Sequence, residues 1–158
     1  RDAQFQGTIR TLTPETRALA KKRFFEIVNG VALAHDCKAN IDWHEGYPVT
    51  FNDPALTNRW FETAKRTVGE KRVQLIPEPT MGGEDFSRYG RTEEKVPICM
   101  FRLGAVDPAK VAESVRTGAA LPSLHSSKFA PVPEPTIKTG VMAMTAAVLE
   151  IAGNKQSP

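Results

Sequence analysis

The sequence predicts an α/β fold, and three observations carry that reading. Residues 3–12 alternate in polarity, an amphipathic helix follows, and a second alternating segment comes next, which makes a strand–helix–strand unit. Two short apolar runs, Val73 to Ile76 and Ile98 to Leu103, read as core strands of an α/β sheet. Near the end, Ile137, Val141, Met144, Val148 and Ile151 mark a helix by their 3.6-residue stripe.

The elements follow from local chemistry. Phe5, Gly7 and Ile9 oppose Gln4, Gln6, Thr8 and Arg10, the period-2 pattern of a half-buried strand. Thr13-Pro14-Glu15 then supplies a cap, a proline for the first helical position and an early acid. The helix it opens should run to about Ala34, with Phe24, Ile27, Val28 and Val31 on one face. Cys37, Ala39, Ile41 and Trp43 alternate with Lys38, Asn40, Asp42 and His44 in a second strand, closed by Pro48. Asn52-Asp53-Pro54 opens another helix, with Leu56, Trp60, Ala64 and Val68 on its apolar face and Gly69 as its stop. Pro77 to Asp85 is a Pro- and Gly-rich loop between the two core strands. The connection from Ala105 to Leu124 is long for a compact domain, and such loops carry function or are disordered.

Composition narrows the function classes. With 158 residues, 41% of them hydrophobic, the chain can bury a core in one or two small domains. The net charge is +3, but 21 basic and 18 acidic residues are interspersed and form no stripe that could track a phosphate backbone, so nucleic acid is not expected as a partner. No apolar run approaches the roughly 18 residues that a membrane span needs, so no membrane partner is expected either. Cys37 and Cys99 stand far apart in strand-like stretches and read as buried thiols rather than a disulfide or a metal pair. So few cysteines fit the cytoplasm. The chain opens on Arg1-Asp2-Ala3-Gln4-Phe5, with neither an initiator Met nor a signal-like start, so the true N-terminus is expected upstream and a periplasmic or secreted location stays open. His35 and His44 read as surface residues.

Three segments carry more specific information. The first is Gly7-Thr8-Ile9-Arg10-Thr11, followed after a helix by Glu45-Gly46-Tyr47-Pro48 and Asn52-Asp53-Pro54. The second is Met81-Gly82-Gly83-Glu84-Asp85-Phe86, and the third is Leu124-His125-Ser126-Ser127-Lys128-Phe129 ahead of the last helix. In this order they cover almost the whole chain, and together they resemble the metal-dependent amidohydrolase and metallopeptidase family of hippurate hydrolases, aminoacylases and indole-acetyl-amino-acid hydrolases. The resemblance implies that residues 1–48 are the C-terminal part of a two-layer α+β lid or dimerisation domain. Residues 49–158 would be the C-terminal half of a zinc-peptidase-like α/β catalytic domain. The full-length protein would be a homodimer that hydrolyses the amide bond of N-acyl amino acids or small peptides, using water activated by zinc or manganese, with two ions in the complete enzyme.

By the same resemblance His125 is the family's final metal ligand, a role suited to a neutral imidazole whose other nitrogen is oriented by a nearby serine or backbone group. The family's other ligands and its general-base glutamate belong to an N-terminal half, so no catalytic base is expected in this chain, which alone should be inactive. Arg10 is a candidate for the substrate carboxylate, because a guanidinium binds carboxylate bidentately; the alternative is a solvent-facing strand arginine. Gly82 and Gly83 resemble a loop beside the metal site, where glycines let backbone amides approach a substrate. Glu84 and Asp85 would hydrogen-bond the groups that orient the ligands, or would simply open a short helix. Ser127 stands where many relatives have Pro, and Ala130-Pro131-Val132-Pro133 replaces an acid-rich stretch, which bears on the loop conformation around His125. A different class of reading is a stand-alone, non-catalytic binding or dimerisation module; a third is a structural α/β protein with accidental matches. A fragment would also expose apolar surface and self-associate.

Overall fold

Four α-helices carry the regular structure of residues 2–153, the part of the chain that the computed structural model describes. They are α1 (Pro14–Ala34), α2 (Pro54–Val68), α3 (Pro108–Thr117) and α4 (Pro133–Ala152), joined by 3-10 helices at Glu70–Arg72 and Asp85–Arg91. Each α-helix begins on a proline, whose fixed φ suits the first helical position and whose missing N–H would have had no partner there. The chain forms two units, each built from two stretches: Arg1–Asp53 with Ile76–Met100, and Pro54–Leu75 with Phe101–Pro158.

In the first unit α1 starts where the sequence places it, with Thr13 Oγ1 accepting from the Thr16 backbone N–H at 3.1 Å. It ends over Asp36, whose φ of 51° lies in the left-handed region that short polar side chains tolerate. None of its residues is buried. Its companion is the segment after it: Trp43 lies 5.6 Å from Phe24 and 6.0 Å from Phe25 between ring centroids. Glu45 gathers Arg17 at 3.0 Å and Lys21 at 2.7 Å from the same helix. The stretch from Ile76 to Met100 joins through a borrowed backbone. The Asn52 carboxamide donates to Met100 O and accepts from Met100 N–H, both at 2.8 Å, while Asp53 N–H donates to Ile98 O at 2.8 Å. Ile98 is buried here, and so is Ser87, whose hydroxyl donates to Glu84 O at 2.7 Å.

The second unit rests on α2 against α4. The face of α2 read from the sequence is the one buried, with Trp60 and Ala64 at its centre beside Thr63 and with Trp60 stacked 5.0 Å from Phe101. Gly69, at φ 97°, turns the chain out of α2 into the following 3-10 helix. On α4 the outcome differs from the pattern. Its bulky stripe, Ile137, Val141, Met144, Val148 and Ile151, is exposed, while Ala143 is buried and Thr139, Gly140, Ala146 and Ala147 are half-buried. Small residues let a helix approach closely, and a Cβ on Gly140 would stand only 3.2 Å from the Leu103 side chain. Arg59 closes the pair on the Glu150 carboxylate at 2.9 Å and on its carbonyl, and Arg72 reaches Thr139 Oγ1 at 3.1 Å.

Several expectations need correction. The described residues contain no β-strand: residues 3–12, 37–44, 73–76 and 98–103 form no ladder. Alternation reports a one-faced environment and says nothing of a pairing edge. That environment is real for the second segment, where Ala39, Ile41 and Trp43 are half-buried while Lys38, Asn40, Asp42 and His44 are exposed. It is lacking for the first, where Phe5 is 93% exposed. Cys37 is exposed and Cys99 half-buried, so neither is the buried thiol expected, and neither is in a disulfide among the described residues. The connection from Ala105 to Leu124 contains α3, capped by the Asp107 side chain on Ala109 N–H at 2.7 Å and ended by Gly118 at φ 73°. His35 and His44 are at the surface. Among the described residues no helix is long and apolar enough to cross a membrane.

Candidate functional site

In the first unit three separate stretches of sequence meet around Tyr47. The Gly46-Tyr47 backbone is clamped by Arg17 of α1, which donates to Gly46 O at 3.1 Å and to Tyr47 O at 3.3 Å. Arg17 is itself ion-paired with Glu45, and the Trp43 indole N–H donates to the same carboxylate at 3.0 Å. The Lys21 hydrogen bond, then that of Trp43, and the charges of Lys21 and Arg17 hold the Glu45 carboxyl below its ordinary range. An ionised Glu45 thus orients the cations that set the Tyr47 turn.

The Gly-Gly loop arrives from the other stretch. Arg10 donates from Nη1 to the Met81 carbonyl at 2.7 Å, using one of its N–H groups and leaving the rest of the guanidinium free to act. A Cβ on Gly83 would meet Tyr47 Cδ2 at 3.6 Å and Arg10 Nη1 at 3.8 Å, so a larger side chain would start in contact with both. Nothing crowds Gly82. Arg88, from the 3-10 helix Asp85–Arg91, lies with its guanidinium carbon 5.6 Å from the Tyr47 ring centroid. Arg10, Gly82, Gly83, Glu84, Asp85, Tyr47 and Arg88 are all exposed. Glu84 and Asp85 open the 3-10 helix, with no side-chain cap bond from Glu84.

His125 belongs to the second unit, in the loop between α3 and α4. Tight turns shape that loop: Ser126 N–H donates to Ser123 O at 2.9 Å and Phe129 N–H to Ser126 O at 3.0 Å, while the Ser126 hydroxyl accepts from Lys128 N–H at 3.1 Å. Val132 N–H pins its end to Ala105 O at 2.8 Å. The imidazole is exposed, and among the described residues neither a serine nor a backbone group is hydrogen-bonded to it. Nor is there, among the described residues, a group of three or more His, Cys, Asp or Glu side chains able to hold a metal ion. A catalytic divalent ion takes about three protein ligands, so these residues alone do not fit one, and His125 can supply at most one bond.

Arg10, Gly82 and Gly83 are thus brought together, while His125 lies in the other unit. Sequence reasoning did not assign a role to Tyr47 or Arg88. Tyr47 stands in the Glu45–Pro48 motif and could have been found there; Arg88 gives no signal beyond following Asp85 by three residues.

Comparison with known proteins agrees with the motifs. Residues 6–126 match the model of peptidase family M20/M25/M40. The chain is 38% identical over 107 residues to an N-acetyldiaminopimelate deacetylase of Anoxybacillus flavithermus, covering 67% of this chain and 27% of that protein. With its counterpart from Ligilactobacillus salivarius it shares 38% over 144 residues, 90% of this chain and 32% of the relative. An N-acetyl-L-cysteine deacetylase of Bacillus subtilis is 38% identical over 85 residues, 53% of this chain and 20% of the other. The chain therefore spans about a third or less of the length of these relatives. No solved structure matches it.

Proposed function

The chain belongs to peptidase family M20/M25/M40, and from that premise we propose that it forms the C-terminal portion of a metal-dependent amidohydrolase acting on N-acyl amino acids. The names of its relatives support this substrate class, since they are deacetylases of N-acetylated amino acids. The observation that carries the reading is the meeting of Arg10 with the Gly82-Gly83 loop: Arg10 Nη1 stands 2.7 Å from Met81 O and 3.8 Å from where a Gly83 Cβ would be.

On this reading the Arg10 guanidinium takes the carboxylate of the amino-acid half through paired N–H donors. Gly82 and Gly83 leave room for the substrate to lie against the backbone, and Tyr47 forms an adjacent wall. Such fixing of the non-reacting end orients the amide for attack. His125 offers one imidazole to a zinc or manganese centre, and Glu84 and Asp85 offer carboxylates as hydrogen-bond acceptors beside the Gly82-Gly83 backbone. The described residues do not assemble that centre, so the 158-residue chain alone is inactive toward amides. The division into a lid part (residues 1–48) and a catalytic part (49–158), a homodimer and a cytoplasmic setting belong to the same proposal.

One observation favours a second reading, a non-catalytic binding module: no three-ligand group occurs among the described residues. The test separates the two. Protein made from the complete reading frame should release the free amino acid from N-acetyl amino acids when supplied with zinc or manganese, and a chelator should stop it. His125→Ala should lower the rate by about 100-fold or more, and Arg10→Gln should raise KM more than it lowers kcat. Binding without turnover at any metal loading would favour the module, and activity indifferent to chelation would overturn the metal-dependent reading.

A further inference from the structure

Arg88 has no place in that reading, yet its guanidinium lies 5.6 Å from the ring of the same Tyr47 that lines Gly83. Arg17, Arg23, Arg59, Arg66 and Arg116 are ion-paired, whereas among the described residues neither Arg10 nor Arg88 is. Glu84 and Asp85, four and three positions before Arg88, are not ion-paired with it either. One guanidinium, that of Arg10, thus borders Gly83, and the other, that of Arg88, borders the Tyr47 ring that Gly83 faces, and neither is ion-paired among the described residues. Like charges held near one another raise the local affinity for a dianion more than for a monoanion. A guanidinium lying over an aromatic face keeps its edge donors available for a carboxylate, which makes the stack a suitable mount.

We infer that Arg88 is a specificity-determining residue that binds a second carboxylate on the substrate, so that the preferred N-acyl amino acid is doubly anionic. The inference rests on the reading of Arg10 as the holder of the first carboxylate. The second could sit on the amino-acid side chain or on the acyl chain; the chemistry recognised is the same. Tyr47 acts as a positioning residue, held by Arg17, that fixes the spacing between the two cations.

The test is equilibrium binding to protein made from the complete reading frame, stripped of metal with a chelator so that no probe is turned over, by titration calorimetry, with helix content checked by circular dichroism for every variant. Two isosteric pairs serve as probes: N-acetylglutamate against N-acetylglutamine, and N-succinylalanine against its terminal amide. The acid should bind about tenfold more tightly than its amide in at least one pair, and the pair that responds tells which half carries the charge. Arg88→Gln should bring that acid down to the affinity of its amide. Lys110→Gln, which removes one positive charge from the other unit, should leave the preference intact. Arg10→Gln should weaken every probe. A preference that is absent, that survives Arg88→Gln, or that falls equally in Lys110→Gln overturns the inference while Arg10 keeps its role. If no probe binds, or Arg10→Gln changes nothing, the Arg10 reading fails and this one falls with it.

Discussion

Helices α1 and α2 make an instructive pair. The first has 21 residues and a side-chain N-cap, yet it buries none of them; the second has 15 and buries three, Trp60, Thr63 and Ala64. The difference lies in what each one meets. α2 has a partner helix, α4, whose face of small side chains admits it, whereas α1, the one α-helix of its unit among the described residues, meets an extended segment through two phenylalanines, Trp43 and the ion pairs of Glu45. Length and caps favour a helix locally, but most helical stability in a folded chain comes from the buried face. The candidate substrate site therefore stands in the unit whose helix buries no residue, where hydrogen bonds and ion pairs set the local geometry.

The largest expected effect tests the packed pair. Trp60→Ala removes the one buried aromatic of α2 and its stack on Phe101, and should cost about 3–5 kcal/mol in urea unfolding. A cost below about 1 kcal/mol would mean that α2 and α4 are not held by this core. The next effect tests the hydrogen-bonded unit. Asn52→Ala leaves the half-buried Met100 N–H and C=O without their carboxamide partner, which should cost about 1–3 kcal/mol. Hydrogen exchange at Met100 should speed up in the variant, and unchanged protection there would show that water replaces the carboxamide at no cost.

Legibility in the sequence followed the same division. Caps and prolines are local, so the starts of α1 and α2 and the stop at Gly69 could be read directly. The signals for α3 are equally local, Asp107-Pro108 at one end and Gly118 at the other, and the length of the connection alone does not reveal them. Partners are not local. The bulky stripe of α4 reveals a helix but not the face it packs with, and alternation at residues 37–44 reveals a one-sided environment without a ladder. At the site, Arg10 with Gly82 and Gly83 was legible as motif, and the structure brings these residues together. Arg88 was not legible, because its relation to Tyr47 depends on how a 3-10 helix presents it.

The smallest expected effect sharpens the comparison at its electrostatic end. Glu45 in the first unit and Glu150 in the second are both held below the ordinary carboxylate value of 4.5, Glu45 chiefly by the Lys21 hydrogen bond and Glu150 chiefly by that of Arg59. A carboxyl depressed on folding binds fewer protons in the native state than in the unfolded one across the interval between its two values. Its stabilisation is therefore complete above about 4.5 and is lost as pH falls through the lower, folded value. Glu45 is exposed, so salt should screen its effect, and Glu150, which is half-buried, should be screened less. The readout differs between the units, because the Trp43 indole N–H donates to Glu45 whereas Trp60 is buried against Phe101. In NMR spectra the Trp43 indole signal should titrate with a midpoint below 4.5, and in Glu45→Gln it should not titrate, while the Trp60 signal stays in place until global unfolding. A Trp43 midpoint at or above 4.5 would mean that Lys21 and Arg17 do not hold Glu45, and the clamp on the Tyr47 turn would lose its charge-assisted basis.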